Sequence, residues 1–119
     1  TYNTTSDYRL KENAVGISDG ITRLKTLKPY RYNFKSNPSQ TFDGFFAHEV
    51  TAVPEAVTGD KDAVAVQADV DSSLAKKIGD PIYQGIDHSK LVPLLTAALQ
   101  EAITKIETLE TKVAALESA

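Results

Sequence analysis

From Val92 to Ala119 the chain carries an unbroken heptad repeat. Val92, Leu99, Ile106 and Val113 fall at position a, and Leu95, Ala102, Leu109 and Leu116 at position d, with no polar residue at either. A helix with this pattern has a seam built for copies of itself. The same register puts Lys105 and Lys112 at g, and Glu110 and Glu117 at e, five residues further on. That is the offset of interhelical g to e′ pairs in a parallel coiled coil, so two independent patterns agree on one register. At about 1.5 Å per residue the helix is a rod of roughly 40 Å. Any function for this chain has to explain why it is an oligomer.

The 119 residues leave room for one compact domain of modest core in addition to the helix. There is no Cys, Met or Trp, which excludes disulfides, thiolate metal sites and cysteine nucleophiles. No apolar run approaches the roughly 20 residues that span a bilayer, and the N-terminus TYNTTSDYRLKEN is too polar for a signal peptide. The sequence therefore reads as that of a soluble chain without membrane contact. It opens on Thr1, as a fragment or processed product of something longer would. The formal net charge is −3, with Lys and Arg scattered rather than clustered, which argues against nucleic acid as a partner.

Residues 18–27, SDGITRLKTL, predict a short amphipathic helix, capped by Ser18 or Asp19 and stopped by Pro29. Tyr30, Tyr32 and Phe34 alternate with Arg31, Asn33 and Lys35, the period of a half-buried strand. Residues 36–44, SNPSQTFDG, read as a polar turn cluster. Residues 44–53, GFFAHEVTAV, fit a short helix better than a buried strand, ending near Pro54. Residues 57–85 are small, charged and poor in bulk, apart from an alternating stretch from Ala63 to Val70. They predict an extended arm that packs on something else or stays mobile. Ile82, Tyr83 and Ile86 read as a strand returning to the core; Asp87 and Ser89 offer helix caps, and Pro93 suits the first turn that follows. The expected fold class is α+β: a small mixed domain with an extended arm and a long C-terminal helix.

The residues that suggest chemistry are Ser6 and Lys11 in the block SDYRLK. A lysine amine that is desolvated enough to be neutral can take the proton of a serine hydroxyl as general base. A five-residue offset is also compatible with a turn serine beside a surface lysine. His48 and His88 have no Cys partner and no metal-ligand spacing, and read as polar surface or interface residues. Asp60, Asp62, Asp69, Asp71 and Asp80 lack the loop glycine and terminal Glu of a calcium loop, and read as solvating charges on the arm. Neither a metal site nor a cofactor is expected. A hydrolase acting on external substrates has little support, because no Gly-rich phosphate loop, nucleophile elbow or metal motif is present.

Three ordered blocks resemble a known family: SDYRLKENAVGISDGITRLKTLKPYRYNF, GFFAHEVTAVPEAVTGDKDAV and GIDHSKLVPLLTAALQEAITKIETLE. They are similar to the intramolecular chaperone domain at the C-terminus of phage tail fibres and tailspikes, the S74 peptidases. The resemblance implies a homotrimer whose domain, residues 6–119, helps the preceding fibre of its own and neighbouring chains to fold, then cuts itself off. It implies a parallel trimeric coiled coil through the seam from Val92 to Leu116. The heptad itself leaves the strand number open, because Leu99 at a and Ala102 at d break the dimer rule. It further implies a serine–lysine dyad of Ser6 and Lys11 with the scissile bond between Thr5 and Ser6. Residues 1–5 are then an upstream fibre remnant or appended residues. Action in the host cytoplasm during assembly and release from the mature fibre follow from the same resemblance. The alternative is a permanent, uncleaved trimeric cap in which Ser6 and Lys11 are inert.

Overall fold

A computed structural model describes residues 3–119; Thr1 and Tyr2, part of the segment expected to be an upstream remnant, lie outside the described residues. The chain is mixed α and β and elongated. Its Cα radius of gyration is 20.7 Å and its extents are 73 × 44 × 28 Å, whereas a compact chain of this length has a radius of about 13.5 Å. The difference is the long helix, which leaves the small domain after a short docking region.

Helix α1, Gly20–Leu24, is shorter than the ten residues the sequence predicts. Asp19 starts it without a side-chain cap; instead the Ile21 N–H donates to Glu101 Oε2, 3.1 Å away, on the C-terminal helix. Strand β1, Tyr30–Phe34, forms where the alternation predicts it but is not half-buried: only Tyr32 is partly covered, while Tyr30 and Phe34 are exposed. The polar cluster after it is mostly not a turn. Strand β2, Asn37–Gly44, pairs antiparallel with β1, matching Tyr30 to Gly44 and Tyr32 to Phe42, and only Lys35 and Ser36 turn. Pairing rather than composition decides this. Arg31 Nε donates to Asp43 Oδ1 at 3.0 Å across the hairpin, and Phe34 meets Tyr32 and Phe42 edge-on while those two rings lie tilted to each other. A two-stranded sheet is all edge, so the missing N–H of Pro38 is tolerated.

The helix expected over residues 44–53 is replaced by a single 3-10 turn, Ala47–Glu49, and a second such turn, Pro54–Ala56, follows it. Neither has a side-chain cap. What holds them is burial. Val50, Val53 and Ala56, three residues apart, join Leu91 and Leu94 in the core, flanked by Leu27, Phe45, Ala52, Val57 and Ile86.

The arm leaves this core through β3, Val57–Thr58, and returns through β4, Gly85–Ile86, which pair antiparallel with Val57 opposite Ile86. Ile86 thus packs on the core as expected, but Tyr83 points outward and is exposed. Between the two strands the chain is more ordered than its composition suggests. Val64 bridges Pro81, Ala65 is buried, and helix α2, Gln67–Asp71, occupies the far end. Two of the aspartates expected to act only as solvating charges hold the backbone instead. Asp69 Oδ2 accepts the Val66 N–H at 2.8 Å, and Asp80 Oδ2 accepts those of Lys76 and Lys77 at 3.2 and 3.1 Å. Such local carboxylate to amide bonds shape turns where no core can. Gly79 closes the excursion at φ +92, a conformation that a side chain would strain.

Asp87 caps a 3-10 turn, His88–Leu91, by accepting from the Ser89 N–H and hydroxyl. That turn runs directly into helix α3, Val92–Glu117, with Pro93 in its first turn as expected. α3 docks on the domain by Leu94 and Ala98, against which Gly20 of α1 makes a backbone-close crossing. Beyond Ala102 every residue of the chain is exposed.

Candidate functional site

Residues 3–19 run along the surface, all of them exposed. Within this segment Asp7 starts a 3-10 turn, Tyr8–Leu10. Its Oδ1 accepts the Arg9 N–H at 2.9 Å and Arg9 Nε at 3.0 Å, and its Oδ2 accepts Nη2 at 3.0 Å. The Arg9 guanidinium and N–H hold the Asp7 carboxyl below its ordinary value, and Asp7 raises that of Arg9 in return. The turn bends the chain so that Lys11 reaches back. Lys11 Nζ donates to Ser6 Oγ at 2.6 Å, a distance across which a proton can pass.

The pair opens on a cleft of about 670 Å³. Thr4, Thr5, Ser6 and Lys11 form one wall; the other includes Arg23 of α1, Val53 and Glu55 beside the second 3-10 turn, and Ser89, Lys90 and Pro93 at the start of α3. The peptide between Thr5 and Ser6 therefore faces the root of the long helix. Arg23, Glu55 and Lys90 were not singled out by the sequence. Their only signal there was that Ser89 and Lys90 follow a capping Asp in one of the resembling blocks.

His48 and His88 stand apart from this pair. His48 stacks on Phe46 and lines a second cleft at the base of the arm; His88 tilts against Phe45, and neither lines the Ser6 cleft. Among the described residues no group of three or more His, Asp or Glu is placed to hold a metal, and no helix is long and apolar enough to cross a membrane.

The seam residues Val92, Leu95, Leu99, Ile106, Leu109, Val113 and Leu116 are 45 % to 77 % exposed, and Ala102 is half-buried. α3 thus meets its own domain with Leu94 and Ala98, one face over, and leaves the heptad stripe bare.

Residues 6–58 match the family model of peptidase S74, described as the chaperone of endosialidase. The similarity is to that stretch, a little under half of the chain. The match begins at Ser6 itself and ends in β3, so it takes in the Ser6–Lys11 turn, α1, the β1–β2 hairpin and the core turns. The arm and α3 lie beyond it. No curated protein matches the chain.

Proposed function

We propose that this chain is a self-cleaving intramolecular chaperone: it trimerises, assists the folding of a phage tail fibre or tailspike that precedes it, and is released by one cut between Thr5 and Ser6. The observation that carries the reading is the 2.6 Å contact between Lys11 Nζ and Ser6 Oγ at the first residue of the S74 match. The family's description as a chaperone supports the fibre-folding role.

The chemistry follows from position. The Ser6 hydroxyl lies on the residue whose nitrogen belongs to the scissile bond, so it reaches the Thr5 carbonyl carbon through a five-membered ring without a bimolecular encounter. Lys11, as the free amine, takes the hydroxyl proton while the Oγ–C bond forms. It returns that proton to the Ser6 nitrogen as the C–N bond breaks. The resulting ester on Oγ is hydrolysed by water, leaving the Thr5 carboxylate and a chain that begins at Ser6. This geometry favours a single cut in cis over turnover.

A lysine amine in water is protonated near neutral pH, and a general base has to be desolvated. Among the described residues nothing covers this segment: Tyr8, Leu10 and Val15 are 83 %, 73 % and 88 % exposed. In this reading the neighbouring chains of the trimer supply the cover, and cleavage follows assembly. The seam brings those chains together, since a helix of this length with a bare apolar stripe gains its stability from packing rather than propensity. Assembly takes place in the host cytoplasm, and the domain is absent from the mature fibre.

The exposure of Ser6 and Lys11 also favours a second reading, a permanent trimeric cap with an inert pair. A mass measurement on a longer precursor decides between them. Two fragments meeting at Thr5/Ser6 support self-cleavage; one intact chain supports the cap.

A further inference from the structure

We propose that Lys90 is a third catalytic residue of the cleavage, whose ammonium stabilises the oxyanion that develops on the Thr5 carbonyl; this rests on the self-cleavage reading above. When Ser6 Oγ adds to the Thr5 carbonyl carbon, the carbonyl electron pair moves onto oxygen. The same charge appears again when water attacks the ester. Ser6 and Lys11 are occupied with the proton, so neither is free to hold that charge. A donor on the opposite wall of the cleft is required, and removing one such donor from an acyl-transfer site commonly costs about 100- to 1,000-fold in rate.

The charged groups facing the Thr5–Ser6 peptide across the cleft are Arg23, Glu55 and Lys90. Glu55 has the wrong sign. Arg23 is committed elsewhere: its Nε and Nη2 donate to the Ala52 carbonyl at 3.1 and 2.6 Å, and its Nη1 lies 3.6 Å from Asp19. Lys90 has no ion pair and no side-chain hydrogen bond among the described residues, although Asp87 lies within reach of its field. It is the cation of the cleft that remains available.

Its mounting suits the task. The Lys90 N–H donates to the Asp87 carbonyl at 3.1 Å inside the capped 3-10 turn, and the next residue, Leu91, is buried in the core. The backbone is fixed, while a four-carbon stem carries three donors into the cleft. Because Lys90 sits at the root of α3, the helix that carries the seam also carries this donor. Assembly and catalysis then share one element.

The test uses the chain itself, which still contains residues 1–5, in a time course followed by intact mass as the N-terminal pentapeptide leaves. Lys90→Met is expected to slow cleavage about 100-fold while sedimentation shows the wild-type oligomer. Lys90→Arg, which keeps the charge, should recover most of that loss. Wild-type cleavage in Lys90→Met, or an equal loss in Lys90→Arg, overturns the assignment. Ser6→Ala run beside them separates the two levels. If Ser6→Ala still cuts at Thr5/Ser6 the self-cleavage reading fails, whereas an inert Ser6→Ala with a normal Lys90→Met removes Lys90 alone.

Discussion

Adding one methyl group at Gly20 would put a Cβ 2.7 Å from the Ala98 amide nitrogen and 3.0 Å from the Ala97 carbonyl carbon. Both are helix backbone and cannot swing aside, so α1 would have to lift from α3. Gly20→Ala is expected to cost about 1–3 kcal/mol of stability, as overpacking does, read as a lower urea midpoint with an unchanged slope. Substitutions at the N-terminal turn behave differently, because their side chains are exposed and hold nothing up. Ser6→Ala and Lys11→Ala should each abolish cleavage of a precursor while the oligomer persists in sedimentation. Lys11→Arg is the sharper case. It keeps the charge and can still reach Ser6 Oγ, but a guanidinium is not deprotonated in proteins and cannot serve as base. Any cleavage by Lys11→Arg at a rate near wild type would show that Lys11 acts only as a fixed charge.

At the scale of one element, α3 carries two apolar stripes, one packed on the domain and one exposed. Leu94, 2 % exposed, belongs to the domain core, and Leu94→Ala should destabilise the folded chain by about 2–5 kcal/mol, measured by denaturant titration. Ile106 and Leu109 touch none of the core residues, and replacing both with Asp should leave the domain folded by circular dichroism but prevent association, since like charges would be buried together at the seam. A wild-type chain sedimenting as a monomer at micromolar concentration would contradict the seam. The start of the helix is acid-sensitive. The Asp87 carboxyl is held below its ordinary value chiefly by the Ser89 hydroxyl, against a smaller desolvation cost, with help from the Ser89 N–H and the charges of Lys90 and His88. A depressed carboxyl contributes stability that is complete above its unfolded value of about 3.9 and is lost as pH falls through the lower folded value. Melting temperature should therefore decline as pH drops below about 4, and the decline should be shallower in Asp87→Ala. Equal slopes in both proteins would assign the acid sensitivity elsewhere.

For the molecule as a whole, the arm is the part whose order is local. It is tied at its base by β3 and β4 and stiffened by Asp69 and Asp80, while Val64, Val66, Leu74 and Ile78 stay exposed. Deleting residues 60–80 leaves that base and the core cluster in place. The isolated domain should melt within a few degrees of wild type, whereas the same deletion in a fibre precursor should lower the yield of soluble, correctly cleaved trimer. A normal fibre yield would move the chaperone role to α3 and its seam.

Period and punctuation made several elements legible before any coordinates. The heptad of α3, the alternation of β1, the capping Asp87 and the first-turn position of Pro93 are local properties, written within a few residues of where they act. The Ser6–Lys11 contact was legible only as a spacing and a resemblance. The extended arrangement on either side of the Asp7-capped turn brings the two tips together. What composition concealed was set by partners distant in sequence. Residues 36–44 look like a loop and become β2 because Arg31, Tyr32 and Phe34 lie across from them. Residues 44–53 look helical but hold only the 3-10 turn Ala47–Glu49, because Val50 and Val53 must both face Leu91 and Leu94. The Glu101 cap on α1, and the cleft that Thr5 and Ser6 share with Lys90, join residues some 80 positions apart. No local pattern encodes such a meeting, and only the packing of the long helix against the domain decides it.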